Sequence, residues 1–320
     1  MTARDYLLLG ATETSPGRPA AKASKAVLAD YRAYLGRAKV TAAQADAILA
    51  TKMGARREAA AAPGRFPLVI IVQGNGGSAY DQAFLAEILA EHGYAVATMP
   101  SQARISGPMR TEGEIAARAI EEAADIGVAA GALAREPSVK PGDLGLVGYS
   151  FGARSALLYE MRHRGVSAFV SLDGGIGAKT GKGRLEKAEG FDPKRAEAPL
   201  MHIYEDGDRF MPVDLDLIRS LDRSDRWLVK VEGMRHTHFS TMGILVRSSP
   251  QLAAITSATP GTAAAWDAVA AATVAFLDRF LGNPRPNEAP AAWTPPASPS
   301  YTVKQLPGFA RPAARPAPAR

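Results

Sequence analysis

Residues 144–159 read Leu-Gly-Leu-Val-Gly-Tyr-Ser-Phe-Gly-Ala-Arg-Ser-Ala-Leu-Leu-Tyr: a short apolar run, then Gly148-Tyr149-Ser150-Phe151-Gly152, then a helix-forming segment. This order describes a strand, a sharp turn and a helix, the form of a nucleophile elbow. A serine at the apex holds a strained backbone conformation, and a glycine two residues to either side lets strand and helix approach closely. In a chain with 30 glycines an isolated Gly-x-Ser-x-Gly arises readily by chance. The flanking strand and helix patterns are what give the pentapeptide weight, and they make Ser150 the first candidate for a reacting atom.

Outward from the elbow the same alternation continues. Strand-like runs occur at Pro67–Gln73, Tyr94–Met99, Leu144–Gly148, Ala168–Leu172, Leu200–Tyr204 and Trp227–Val231. Between them, Ser78–His92, Glu112–Arg135 and Phe151–Arg164 carry apolar residues at helical spacing, and a final helix is expected over Thr262–Leu281. Such a pattern predicts an α/β fold with a mostly parallel sheet covered on both faces. Residues 66–282 are expected to form this domain. Residues 1–65 are expected to be mainly helical, with a break near Gly36 to Thr41, packed on the core or leading into it. Residues 283–320, rich in Pro and Ala, read as a tail whose middle, Tyr301–Phe309, is apolar enough to dock.

Composition bounds the chemistry. With 320 residues and 47% hydrophobic content there is ample material for one buried core. The absence of cysteine removes disulfides, thiolate metal sites and thiol nucleophiles, and leaves the redox compartment unread. A net charge of +6 invites a nucleic-acid reading, but the basic residues are dispersed among 32 acids, so no nucleic-acid partner is expected. The run Tyr6–Leu9 is too short for a signal-peptide core, and nothing approaches the roughly 20 apolar residues of a membrane span. A soluble protein is expected: cytoplasmic if Met1 is the native start, exported if a leader preceded it.

A serine hydroxyl needs a general base within hydrogen-bond reach and a third group that orients the base. On an elbow-type sheet the chain order is Ser, acid, His. His236, in Met234-Arg235-His236-Thr237-His238-Phe239-Ser240 after the last strand, is the expected base, and His238 is its competitor. A His-x-His pair also suits a metal, but no further His or Cys cluster accompanies it, so neither metal nor cofactor is expected. Two carboxylates compete for the third role: Asp173, at the end of one strand, and Asp208, in Glu205-Asp206-Gly207-Asp208 after the next. Periodicity does not choose between them. The oxyanion is expected to meet the backbone N–H of Phe151 and that of Asn75, in the loop Gln73–Ser78. Gly74-x-Gly76-x-x-Ala79 imitates a dinucleotide fingerprint, with Arg104 near a 2′-phosphate. The next strand, however, ends in Met99-Pro100-Ser101 without the acid such a site uses.

With Ser150, His236 and the glycine loop in this order, the chain resembles the α/β-hydrolase superfamily, and within it the dienelactone-hydrolase-like and platelet-activating-factor-acetylhydrolase-like members. The resemblance spans residues 66–281. Its specific pieces are Gly148–Gly152, Ser171-Leu172-Asp173-Gly174 and Met234-x-His236-x-x-Phe239-Ser240. It implies an α/β-hydrolase fold, with no large lid domain, and a serine hydrolase of carboxylic esters, its substrate a small-molecule or polymeric ester. The acetylhydrolase-like branch takes its acid at the position of Asp173 and more distant members at that of Asp208; the sequence around His236 also favours the former branch, so the resemblance makes Asp173 the expected acid and Asp208 the alternative. Thioesterase, amidase, peptidase or acyltransferase chemistry on the same triad, and a non-catalytic binding protein, are the alternatives. Gln73 stands where many relatives have His. The Lys179, Lys182, Arg184 and Lys187 segment predicts an open site with a basic rim.

Overall fold

Phe66-Pro-Leu-Val-Ile-Ile-Val72 has no polar side chain, and such a run becomes a strand buried on both faces. In the computed structural model, which describes residues 1–13, 20–37, 39–101, 111–179, 181–248, 250–281 and 293–308, it is the first strand of a seven-stranded sheet. Along the chain the elements are α1 (Ala3–Glu13), α2 (Ala20–Arg37), α3 (Ala42–Leu49), β1 (Phe66–Val72), α4 (Ala83–Glu91), β2 (Ala95–Met99) and α5 (Glu112–Leu133). They continue with β3 (Val139–Tyr149), α6 (Gly152–Arg162), β4 (Val166–Leu172), α7 (Gly181–Leu185), β5 (Leu200–Tyr204) and α8 (Asp216–Ser220). The last are β6 (Arg226–Val231), α9 (Met242–Leu245), α10 (Pro250–Thr256), α11 (Thr262–Phe280) and β7 (Tyr301–Leu306).

The spatial order is β2-β1-β3-β4-β5-β6-β7, with β1 to β6 parallel and β7 antiparallel to β6. Successive side chains of a strand point to opposite faces. Accordingly Leu68, Ile70 and Val72 join Ile115, Ala119 and Ile126 of α5 and Leu157 and Leu158 of α6 in one core. Val69 and Ile71 join Leu85 and Leu89 of α4 and Val269, Phe276 and Leu277 of α11 in the other. This is the two-faced parallel sheet that the alternation of segments predicts. Because all six strands run the same way, the chain after Val72, Tyr149, Leu172, Tyr204 and Val231 emerges along one edge, where open α/β sheets build their sites.

No strand precedes β1 among the described residues. Instead, α1, α2 and α3 form a third apolar cluster, in which Leu7, Leu28, Leu35, Ile48 and Leu49 pack against Tyr80, Ala83, Leu245 and Leu252 of the main body. The break between α2 and α3 is closed by a capping box at Thr41 and Gln44. No described helix is long and apolar enough to cross a membrane.

Tyr301–Leu306, assigned to the tail by composition, is the antiparallel edge strand of the sheet. Its attachment is anchored upstream: the carbonyl of Trp293 accepts the Trp227 Nε1–H at 2.8 Å, and the Trp293 ring packs edge-on to Trp227 and Phe276. The remainder of that stretch, 282–292 and 309–320, lies outside the described residues, as does Arg104.

One buried charge lies far from the carboxyl edge. Glu160 of α6 accepts the Ala198 N–H at 2.7 Å but forms no salt bridge among the described residues, and burial raises its pKa from 4.5 to about 8. The folded state therefore holds the proton more tightly than the unfolded chain, so this group favours folding most below 4.5 and progressively less as pH rises to about 8. Glu160→Gln, which cannot ionise, is expected to lose less stability than the wild type over that interval, as read from urea midpoints at a series of pH values.

Candidate active site

Strand β3 ends at Tyr149 and α6 starts at Gly152, leaving two residues for the reversal. Ser150 takes it at φ +52°, a conformation an L-residue adopts only under constraint. The constraint is packing. A Cβ on Gly152 would lie 2.2 Å from the Val72 carbonyl oxygen, and one on Gly148 would lie 2.5 Å from the Ala153 Cα. Both glycines are thus required by the approach of α6 to β1 and β3. Ser150 N–H donates to the Leu172 carbonyl at 3.1 Å and Ser150 O accepts the Gly175 N–H at 2.7 Å, so the turn is tied on both sides to the chain around Asp173.

Ser150 Oγ lies 2.9 Å from His236 Nε2, and His236 Nδ1 lies 2.5 Å from Asp173 Oδ2. A carboxylate only accepts, so Nδ1 carries the proton and Nε2 is left to accept from the serine hydroxyl. His236 is 7% exposed and Asp173 4%. Tyr149 stacks on the His236 ring with centroids 5.2 Å apart, and its hydroxyl donates to the His236 carbonyl at 3.2 Å; Phe210 covers another side at 5.4 Å. Burial pushes the Tyr149 phenol far up, so it remains a donor.

The competitors are engaged elsewhere. His238 Nδ1 accepts the Arg235 N–H at 2.9 Å, and burial lowers its pKa to about 4. Asp208 accepts the Phe210 N–H at 2.9 Å and its own N–H donates to Glu205, the arrangement of a capped turn. Glu205 went unremarked in the sequence. It is 2% exposed, its N–H donates to Asp173 Oδ1 at 3.4 Å, and burial raises its pKa.

The N–H groups of Phe151 and Asn75 enter no hydrogen bond among the described residues, and both residues line the cleft that opens over Ser150, about 510 Å³ in volume. Beneath it lies a buried polar knot that the sequence did not reveal. Glu122 of α5 accepts from Ser101 Oγ at 2.5 Å and from Ser155 Oγ of α6 at 2.8 Å, with Arg118 Nε at 3.4 Å. Ser101 N–H in turn donates to Gly77 O at 2.9 Å, so this carboxylate joins the glycine loop to the elbow helix. Burial raises the Glu122 pKa despite those donors.

The cleft wall is cationic, though not as composition suggested. Lys182 pairs with Glu186 at 3.6 Å and Lys187 with Glu112 at 2.5 Å, and neither lysine lines the cleft. Lys179 and Arg184 do line it, joined by Arg154 and Arg209. No described residue lining the cleft is acidic. Among the described residues no group of three or more His, Asp or Glu could hold a metal ion.

The sequence model of the dienelactone hydrolase family matches residues 53–231. Among solved structures, a ferulic acid esterase from Streptomyces cinnamoneus superposes with a TM-score of 0.58 at 21% identity, over 81% of this chain and 79% of that chain; the likeness is one of fold. Among curated proteins none matches significantly.

The knot yields a stability prediction. Removing one partner of a buried pair strands the other charge, at about 3–5 kcal/mol. Glu122→Ala is expected to be destabilised by that order in urea unfolding, and Arg118→Met/Glu122→Ala by less, because the stranded cation is gone.

Proposed function

As the chain belongs to the dienelactone hydrolase family, we propose that it is a serine hydrolase that cleaves carboxylic esters through an acyl-enzyme. The observation that carries this reading is the unbroken contact from Ser150 Oγ through His236 to Asp173 at the floor of a cleft. Ser150 attacks the ester carbonyl while His236 Nε2 takes its proton, and Asp173 holds the imidazole in that tautomer and stabilises the cation. The N–H groups of Phe151 and Asn75 meet the developing oxyanion. His236 then returns the proton to the leaving alcohol oxygen, and water repeats the sequence to release the acid.

The cationic wall supports a finer reading: the acyl part of the substrate carries an anion. Arg154 is 5% exposed, stacks over Phe151, and has no carboxylate partner among the described residues; the charge of Arg184 that acts on it is another cation's. Burial lowers its pKa to about 10, which still leaves it charged at neutral pH. A Cβ on Gly175 would lie 2.2 Å from the Arg154 Cζ, so a glycine is needed where the guanidinium sits. A buried charge without a counter-charge is costly, and an incoming carboxylate would offset that cost.

A fluorophosphonate is expected to label the wild type and not Ser150→Ala. Asp173→Asn is expected to lose kcat by about 10⁴-fold with the fold retained, and Asp208→Asn to stay within a few-fold. Equal modest losses would defeat the assignment of the acid. For the acyl side, kcat/KM on p-nitrophenyl hemisuccinate against p-nitrophenyl butyrate is expected to favour the anion, and Arg154→Met to cut that preference by about tenfold or more. A preference for butyrate in the wild type would sink the anionic reading alone.

A further inference from the structure

A second cavity, of about 270 Å³, opens between the N-terminal helices and the carboxyl edge of the sheet. Across it Leu7 of α1 and Tyr31 and Tyr34 of α2 face Tyr80, Tyr149 and Met242. It shares no lining residue with the cationic cleft, which Ser150 and Phe151 line. Tyr149 and Thr237, the chain neighbours of Ser150 and His236, line the second cavity, and the Tyr149 ring stacks on the imidazole.

Its walls are aromatic and held in place. The Tyr31 and Tyr80 rings meet edge to face at 6.0 Å, with their hydroxyls 3.4 Å apart. Thr241 Oγ1 donates to the Tyr80 carbonyl at 2.8 Å and Gln82 Nε2 to the Phe239 carbonyl at 2.8 Å, which fixes the Tyr80 wall to the segment bearing His236. Tyr34, at the rim, keeps 39% of its surface exposed, with the Arg37 guanidinium over its ring, Cζ 5.6 Å from the centroid. Among the described residues lining this cavity there is no cation, and Asp81 is the one carboxylate. Tyrosine rings present flat apolar faces with polar tips, a surface suited to another ring.

We infer that this tyrosine-lined cavity is the leaving-group subsite, and that it takes the aromatic alcohol of an ester whose acyl part lies in the cationic cleft. The inference rests on the esterase reading above. Its directional argument is chemical. His236 Nε2 delivers the proton to the departing alcohol oxygen, so the alcohol leaves on the imidazole side, whereas the oxyanion is held at Phe151 and Asn75 on the cleft side. The N-terminal helices thereby supply half of a binding site whose reacting groups all belong to the sheet.

The test compares 2-naphthyl and methyl esters of one acid. In Tyr34→Ala and Tyr31→Ala the ratio of kcat/KM for naphthyl over methyl is expected to fall at least tenfold. The loss should sit in acylation, with deacylation, which the departed alcohol does not touch, as the internal reference. Tyr34 is at the rim, so its truncation leaves the core packed. An unchanged ratio, or equal losses on both esters, overturns the assignment. Binding of 2-naphthol by calorimetry separates this from the reading it rests on. If fluorophosphonate leaves Ser150 unlabelled while 2-naphthol binds in a Tyr34-dependent way, the hydrolase reading fails and the site stands. If the wild type takes up no 2-naphthol, the site fails.

Discussion

The contact on which the rest depends is the approach of α6 to the end of β1, where Gly152 passes so close to the Val72 carbonyl that no side chain fits. That approach forces the two-residue reversal at Ser150 into positive φ, at a local cost on the order of 1–3 kcal/mol. Burial of the α6 apolar face, Ala153, Ala156, Leu157 and Leu158, holds the helix against the sheet and opposes the strain. What the strain achieves is orientation. The serine oxygen stands clear of both elements, next to the start of a helix whose first N–H groups have no partner within it.

Charge is distributed in a matching way. The buried carboxylate Glu122 is saturated by hydroxyls and one guanidinium, and it spends those bonds on linking the glycine loop, by way of Ser101, to the elbow helix through Ser155. Arg118 and Arg154 both stack over the ring of Phe151, each with its Cζ 5.7 Å from the centroid. Only Arg118 has a carboxylate against it among the described residues. The asymmetry leaves one guanidinium in the cleft wall with no carboxylate against it among the described residues, beside the residue whose backbone N–H meets the developing oxyanion in the proposed reaction.

How much of this could be read beforehand follows from the range of the forces involved. Six strands were legible because a parallel sheet buried on both faces demands continuous apolar runs; Leu144–Gly148 is such a run, and Trp227–Val231 is one broken only by Lys230. Ser150 and His236 were legible because their local patterns are short-range. Between Asp173 and Asp208 the residue pattern alone does not choose, since both follow strands that end at the same edge; the resemblance favours Asp173, and in the structure the aim of each loop distinguishes them. The Asp173 backbone at φ +40°, tied to Ile203 O at 2.7 Å, turns its carboxylate to the imidazole; Asp208 caps its own turn. Arg154 escaped because an arginine on a helix reads as a solvated face, and its burial comes from α6 lying under the loop at Gly175. Tyr301–Leu306 was legible as a segment able to dock but not as a strand, because Thr302 and Lys304 dilute its apolar content between Pro-rich flanks.

That last strand has a further meaning for the life of the chain in solution. Without it, β6, whose Trp227–Val231 is almost wholly apolar, would present a row of unpaired amides to any passing polypeptide. The cover strand is made of the opposite material: Thr302, Val303 and Lys304 are exposed, and a lysine on an outer rim discourages a stranger from continuing the ladder. A segment that touches none of the reacting groups thus acts as the molecule's guard against intermolecular β-pairing, and a chain clipped before Trp293 would carry an adhesive margin where the intact one carries a charged hem.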